Sequence, residues 1–252
     1  MGIKNQKFIF LFLILLVQAH LTGQTKSSKK ILFIGNSYTY FWNLPQTVHV
    51  MSSKDSVVLE TRQSTVGGVN LGQHWNSDNN LKSRDIIEQN NFDIIVIQDH
   101  SLQAINKPDS LHYYGKLFND LIKSKGAKTY LYMTWAREKE PLMQTQIASE
   151  YTKLANEINA TLVPVGLAWE KARNLKPDID LFDEDGSHPS TMGTYLNACV
   201  FYKVLSGKNP VGLPHRILTT DKHGEKLYLN IQSEENALFL QKIANEVVYS
   251  HN

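Results

Sequence analysis

The sequence predicts an α/β fold in which a parallel sheet carries helices on both faces. Five short apolar runs rich in β-branched and aromatic residues alternate with longer amphipathic segments, and this alternation is typical of such a fold. The 252 residues are 42% hydrophobic and 20% charged, which is an ordinary globular composition. No repeat, low-complexity tract or linker divides the chain, so we expect one domain.

The apolar runs are short enough to be strands that are buried on both faces. They are Lys30–Gly35, Ser56–Thr61, Asp93–Gln98, Thr129–Thr134 and Thr161–Val165. Helical spacing of apolar residues predicts helices at Leu81–Gln89, Leu111–Lys123, Leu142–Ile158, Met192–Leu205 and Glu234–Val248. Ligands of such folds bind at the carboxyl ends of the strands, so the residues that follow each strand are the candidates for function.

The first 23 residues predict a cleavable secretory signal peptide. Lys4 and Lys7 precede the unbroken apolar run Phe8–Val17, and small or polar residues follow it. A membrane anchor is the alternative, but the run has ten residues where a spanning helix needs roughly 20. We therefore expect a secreted or periplasmic protein that consists of residues 24–252, without stable membrane insertion after signal removal.

Charge and cysteine content exclude some partners. Residues 1–23 hold two of the 26 basic residues and none of the 24 acidic ones, so the remainder carries 24 of each. This balance gives no indication of a nucleic-acid partner. The single cysteine, Cys199, lies in an apolar segment and is interpreted as a small buried hydrophobe.

Ser37 follows the first predicted strand, at the point where the chain turns into a helix. A hydroxyl there lies at the open end of the sheet, although serine is also a common helix N-cap. Gly67 and Gly68 follow the second strand, where glycines let the backbone approach a ligand or simply form a tight turn.

Gln98 follows the third strand, and its side-chain amide could donate to a developing oxyanion or cap the next segment. Further on, Asp185 and His188 are three residues apart in a loop, a spacing that lets a carboxylate orient an imidazole. A solvated acidic loop or a metal site are the alternatives. A metal site would need more ligands than this loop offers, so none is expected.

Taken in order, these segments resemble the sequence blocks of the SGNH (GDSL) hydrolase family between about Lys30 and Leu205. The segment 35–37 (GNS) is similar to the Gly-Asp-Ser block, with asparagine in place of aspartate. Gly68 matches the block II glycine better than Gly67 does, and the segment 185–188 (DGSH) matches the Asp-x-x-His block. The third block departs from Gly-x-Asn-Asp, because valine replaces the glycine and Gln98 replaces the asparagine.

The resemblance implies a three-layer α/β/α sandwich with a flavodoxin-like sheet, and a serine esterase that needs no cofactor. Ser37 would be the nucleophile, His188 the base and Asp185 the residue that orients it. The oxyanion would be bound by the amides of Ser37 and Gly68 and by the side chain of Gln98.

The substrate is expected to be a small-molecule or glycan ester, with a short acyl group such as acetyl on a carbohydrate. Tryptophans in the predicted loops suit stacking on sugar faces, although tryptophans also pack in cores. They are Trp42, Trp75, Trp135 and Trp169, and His74 and Arg137 lie beside them in sequence. Two alternatives stay open: a non-catalytic carbohydrate-binding protein on a hydrolase scaffold, and an O-acyltransferase that uses the same triad.

Overall fold

The computed structural model describes residues 26–249, so the predicted signal peptide lies outside the described residues. Five parallel strands form the central sheet in the order β2-β1-β3-β4-β5, which is the flavodoxin-like order. The predicted three-layer α/β/α fold is confirmed. The strands are β1 (Ser27–Gly35), β2 (Val57–Thr65), β3 (Ile94–Ile97), β4 (Lys128–Tyr132) and β5 (Thr161–Val163).

Ten α-helices within the described residues surround this sheet. Four of the five predicted helices agree with the structure to within about two residues at each end, and the helix predicted from Leu111 starts three residues earlier. The helices are α1 (Ser37–Tyr40), α2 (Leu44–Ser52), α3 (Leu71–Asn76), α4 (Ser83–Gln89), α5 (Gln103–Asn106), α6 (Pro108–Ser124), α7 (Met143–Ile158), α8 (Val165–Leu175), α9 (Thr191–Ser206) and α10 (Glu234–Tyr249).

Alternating side chains of β1 divide the core into two halves. Ile31 and Phe33 face a cluster that includes residues of α2, α8, α9 and α10. Leu32 and Ile34 face a second cluster, built with residues of α3 to α7. Because successive side chains of a strand point to opposite faces, one apolar run supports both helical layers.

The strand register brings the candidate loops to one edge of the sheet. Gly35 of β1 pairs with Thr65 of β2, and Ile34 pairs with Ile97 of β3. The chain therefore leaves β1, β2 and β3 at the same level. The strand order reverses between β1 and β3, which is where flavodoxin-like sheets open a crevice for ligands.

The structure differs from the sequence-based expectation in several elements. Strand β1 starts at Ser27, three residues before the predicted start, and the spacing of apolar residues did not predict the helices α1, α2, α3, α5 and α8. Strand β2 extends to Thr65, because it is an edge strand whose exposed polar residues hide the apolar pattern. The fifth strand stops at Val163, and α8 begins at Val165. An antiparallel hairpin, β6 (Arg216–Thr220) and β7 (Lys226–Ile231), was not predicted. Between residues 26 and 249, none of the helices combines the length and the apolar character that crossing a membrane requires.

Candidate active site

Ser37 is the first residue of α1, directly after the turn that ends β1. The helix N-cap is Asn36, whose side chain accepts a hydrogen bond of 3.1 Å from the Tyr38 amide. The capping role that serine could have filled is therefore taken by its neighbour. The Ser37 hydroxyl instead lies 2.8 Å from His188 Nε2.

Asp185 orients the imidazole from the other side. Its Oδ2 lies 2.5 Å from His188 Nδ1, and its Oδ1 accepts the backbone amides of Ser187 and His188, each at 2.9 Å. Partial burial opposes ionisation of this carboxyl, but the hydrogen bonds from His188 and Ser187 outweigh it and lower the pKa of Asp185. A carboxylate at this position keeps a proton on Nδ1 and leaves Nε2 free to accept the serine proton.

Aromatic side chains hold the loop that carries His188. Phe41 stacks on the imidazole, with 4.4 Å between ring centroids and 16° between planes. Trp135 Nε1 donates to the Ser187 carbonyl at 3.0 Å, and Trp42 Nε1 donates to the Pro189 carbonyl at 2.9 Å. These contacts were missed from the sequence, since no local spacing indicates which aromatic residues meet a loop that is 52 to 147 positions away.

The backbone conformation at position 68 requires a glycine. Its φ of 72° lies in the left-handed region, where a residue with a Cβ is strained. The loop is fixed beside the nucleophile because Asn36 Nδ2 donates to the Val69 carbonyl at 2.8 Å. Within the described part of the chain, the amides of Ser37 and Gly68 have no hydrogen-bond acceptor, so both are free to donate to a ligand.

Gln98 lies beneath the turn that carries Ser37, where polar groups of the protein surround its side chain. The side chain is fully buried, and both of its N–H groups are used, one on Asn36 Oδ1 at 3.0 Å and one on the Asp99 carbonyl. Its Oε1 accepts the Asn36 amide at 3.0 Å and the Thr39 hydroxyl at 2.9 Å. This arrangement favours a supporting position under the Ser37 turn over the oxyanion contact that the resemblance implied, because both N–H groups have partners inside the protein.

Asp99 extends this support to the glycine loop. Its Oδ1 accepts the amides of Leu71 and His100 at 2.9 and 2.7 Å, and only 1% of the residue is exposed. Burial raises the pKa of the carboxyl to about 6, although the two amide hydrogen bonds oppose the shift. We name Asn36, Thr39, Gln98 and Asp99 the buried platform, because they join the loops that follow β1, β2 and β3.

His74 belongs to the support of the site and not to its surface. It is completely buried, with Nε2 at 2.9 Å from the Gly35 carbonyl and Nδ1 at 2.7 Å from Ser83 Oγ. Burial lowers its pKa to about 4, so the ring is neutral at physiological pH.

The tryptophans divide between core and surface. Trp135 and Trp169 are 1% exposed and stack on each other with 4.1 Å between ring centroids. Trp75 packs edge-on against Phe118. Trp42 is 45% exposed beside the His188 loop, so of the four it is the one that presents a ring to a ligand.

Comparisons with known proteins bear on the fold. Neither the family models nor the curated proteins gave a match to this sequence. Among solved structures, a candidate SGNH hydrolase from Slackia heliotrinireducens superposes with a TM-score of 0.62 at 22% identity, over 71% of this chain and 100% of the other. The chain has the SGNH-hydrolase fold.

Two further structures share the SGNH fold with this chain. A DUF4886 family protein from Bacteroides uniformis has a TM-score of 0.71 at 19% identity, with coverage of 90% of this chain and 97% of the other. An acetyl xylan esterase has a TM-score of 0.54 at 15% identity, with coverage of 69% and 98%. In this SGNH fold, the triad-like residues stand at the carboxyl edge of the sheet, where the strand order reverses.

Proposed function

We propose that the protein is a serine esterase in which Ser37 is the nucleophile, His188 the general base and Asp185 the residue that orients and supports the base. One observation carries the proposal: a continuous hydrogen-bonded path of 2.8 Å and 2.5 Å joins the serine hydroxyl, the imidazole and the carboxylate. Nucleophilic catalysis by serine needs this arrangement, because a free hydroxyl is a weak nucleophile.

In the first half-reaction, Ser37 Oγ attacks the ester carbonyl while its proton passes to His188 Nε2. The oxyanion accepts hydrogen bonds from the amides of Ser37 and Gly68, neither of which has another acceptor among residues 26–249. His188 then gives the proton to the departing alcohol, which leaves an acyl group on Ser37. Water attacks that acyl-enzyme with His188 again as base, and the carboxylic acid leaves as the hydroxyl of Ser37 is restored.

We propose a short acyl ester of a carbohydrate as the substrate. A groove of about 360 Å³ adjoins the His188 loop, lined by Trp42, Phe182, Asp183 and Glu184 among others. An exposed indole next to carboxylates suits a sugar, whose C–H face stacks on the ring while its hydroxyls donate to the acids. The likeness in fold to an acetyl xylan esterase supports this choice, as does the export that the N-terminal sequence predicts.

The test is hydrolysis of p-nitrophenyl acetate and of acetylated xylo-oligosaccharides by the wild type and by Ser37→Ala, with Ser56→Ala as the matched control. Ser56 is exposed and remote from the site. We expect Ser37→Ala to lose about 10⁴-fold or more in kcat and Ser56→Ala to keep wild-type rates. Wild-type turnover by folded Ser37→Ala would refute the esterase mechanism, and hydrolysis of the p-nitrophenyl ester alone would refute only the carbohydrate substrate.

A further inference from the structure

Two side chains in the loops near the triad, His100 and Arg137, have N–H groups without a hydrogen-bond acceptor among residues 26–249. His100 lies in the loop after β3, two residues beyond Gln98, and is half-buried. The Leu102 amide points to His100 Nδ1 at 3.3 Å, so Nδ1 is the acceptor and Nε2 carries the proton of the neutral ring. Within residues 26–249, that Nε2–H has no acceptor.

Arg137 lies in the loop after β4 and is also half-buried. Its Nε is fully enclosed and makes no hydrogen bond, and the guanidinium forms no ion pair with any residue that the structure describes. The next residue is fixed to the catalytic loop, because the Glu138 amide donates to the Gly186 carbonyl at 2.9 Å. The loop that carries the free guanidinium is therefore fastened to the loop that carries Asp185 and His188.

A second arginine nearby shows what a partnered guanidinium looks like in this protein. Arg173 donates to the Glu138 carbonyl at 2.8 Å, and its guanidinium carbon lies 5.0 Å from the centre of the Phe182 ring. Arg137 has neither kind of contact among the described residues. A partly desolvated cation without a counter-charge is unfavourable, and proteins usually pair it.

The loops that carry His100 and Arg137 leave the sheet side by side, because β3 and β4 are neighbouring strands with Ile97 paired to Leu131. Tyr38, which follows Ser37, stacks on Trp135 with 4.5 Å between ring centroids, so the Arg137 loop packs against the Ser37 segment.

Burial lowers the pKa of His100, and the positive charge of Arg137 lowers it further. Burial raises the pKa of Tyr38, which follows the nucleophile, and the same arginine charge opposes that rise. Asp99, which precedes His100 in sequence, directs its Oδ1 to backbone amides and forms no ion pair with Arg137.

We propose that Arg137 and His100 form a subsite for a carboxylate carried by the ester substrate. Arginine presents parallel N–H groups that match the two oxygens of a carboxylate, and the His100 Nε2–H adds a third donor. The proposal rests on the proposed function and narrows it to acidic esters, such as acylated uronic acids. The carboxylate can belong to the acyl part or to the alcohol part of the ester.

Two matched pairs of probes separate these sources. The first pair compares p-nitrophenyl hemisuccinate, which carries a carboxylate on the acyl side, with the neutral p-nitrophenyl valerate. The second pair compares 3-acetoxybenzoate, which carries a carboxylate on the alcohol side, with the neutral 3-acetoxybenzamide. We expect the wild type to prefer the anionic member of one pair. Arg137→Gln should reduce kcat/KM for that anionic ester by about 10- to 100-fold more than for its neutral partner.

Lys139→Gln is the matched control, because it removes the same charge from an exposed position two residues away. It should retain the wild-type preference. Arg137→Lys should restore part of the preference, since it keeps the charge and loses the paired geometry. Equal losses on the anionic and neutral esters in Arg137→Gln, or a wild type without any anionic preference, would overturn the subsite.

A binding measurement keeps the subsite independent of catalysis. Calorimetric titration into Ser37→Ala needs no turnover, and it compares 3-hydroxybenzoate with 3-hydroxybenzamide for the alcohol side and monomethyl succinate with methyl valerate for the acyl side. We expect the anionic member of one pair to bind more tightly, and the difference to vanish in Ser37→Ala/Arg137→Gln. An anionic preference in either pair without esterase activity in the wild type would reject the proposed function and keep the subsite, whereas esterase activity without an anionic preference in either pair would do the reverse.

Discussion

Ser37 stands between two regions that are built in opposite ways. On one side, Asp185 and His188 are joined by contacts that span three residues, and their side chains are 49% and 28% exposed. On the other side, the buried platform joins Asn36 to Gln98 across 62 residues, with 2% and 0% exposure. In the proposed mechanism the first region exchanges protons with the substrate, and the second holds the turn that carries Ser37. Substitutions in the loop that carries Asp185 and His188 should therefore lower kcat more than the unfolding free energy. Substitutions in the buried platform should lower the unfolding free energy more than kcat.

Asp185→Asn should have the largest effect on rate. The amide oxygen can still accept the backbone amides, but the amide N–H₂ now faces His188 Nδ1 and favours the wrong tautomer of the ring. We expect kcat to fall on the order of 10⁴-fold with little change in the unfolding free energy. Asp178→Asn, at an exposed position seven residues earlier in the chain, is the control and should keep the wild-type kcat. If Asp185→Asn retained even a tenth of the wild-type kcat, the assignment of the orienting carboxylate would be wrong.

Gln98→Ala tests the other region. It leaves the Asn36 amide and the Thr39 hydroxyl without their buried acceptor, and each such group costs about 1–3 kcal/mol. We expect the unfolding free energy, measured in urea, to drop by about 3 kcal/mol, with a loss of kcat that follows from the loosened turn. An unchanged unfolding free energy together with a 100-fold lower kcat would return Gln98 to the oxyanion site.

Two buried groups beneath the site, His74 and the platform residue Asp99, should make the unfolding free energy depend on pH with opposite signs. His74 has a pKa of about 4 against an ordinary 6.5, so its stabilising contribution is complete above pH 6.5 and declines as the pH falls towards 4. Asp99 has a pKa of about 6 against 3.8, so its contribution is complete below pH 3.8 and declines as the pH rises through 6. Each shift corresponds to about 3 kcal/mol.

Asp99→Asn isolates the second of these effects. Relative to the wild type, the variant should gain about 3 kcal/mol of unfolding free energy as the pH rises from 4 to 7, because asparagine cannot ionise in the unfolded chain. His74→Gln should show the opposite trend relative to the wild type over the same range. Urea unfolding at several pH values measures both effects. If the unfolding free energies of Asp99→Asn and of the wild type changed with pH in parallel, the raised pKa of the buried Asp99 carboxyl would be contradicted.

The same contrast explains what the sequence could predict. The positions of Ser37, Asp185 and His188 follow from strand ends and a three-residue spacing, which are local features of the chain. The role of Gln98 depends on how far a glutamine reaches beneath a turn formed 62 residues earlier, and spacing carries no such information. Phe41 and Arg137 were not predicted in their present places for the same reason, since their surroundings come from distant loops.

The central claim is that His188 activates Ser37 as a nucleophile, and labelling with a fluorophosphonate tests it without any assumption about substrate. The serine oxygen would displace fluoride from phosphorus and leave one covalent adduct, which peptide mass spectrometry locates. We predict a single adduct on Ser37 in the wild type and no adduct in Ser37→Ala. In His188→Ala the labelling rate should fall by about 100-fold or more. An unlabelled but folded wild type, or an adduct that persists in Ser37→Ala, would contradict the account.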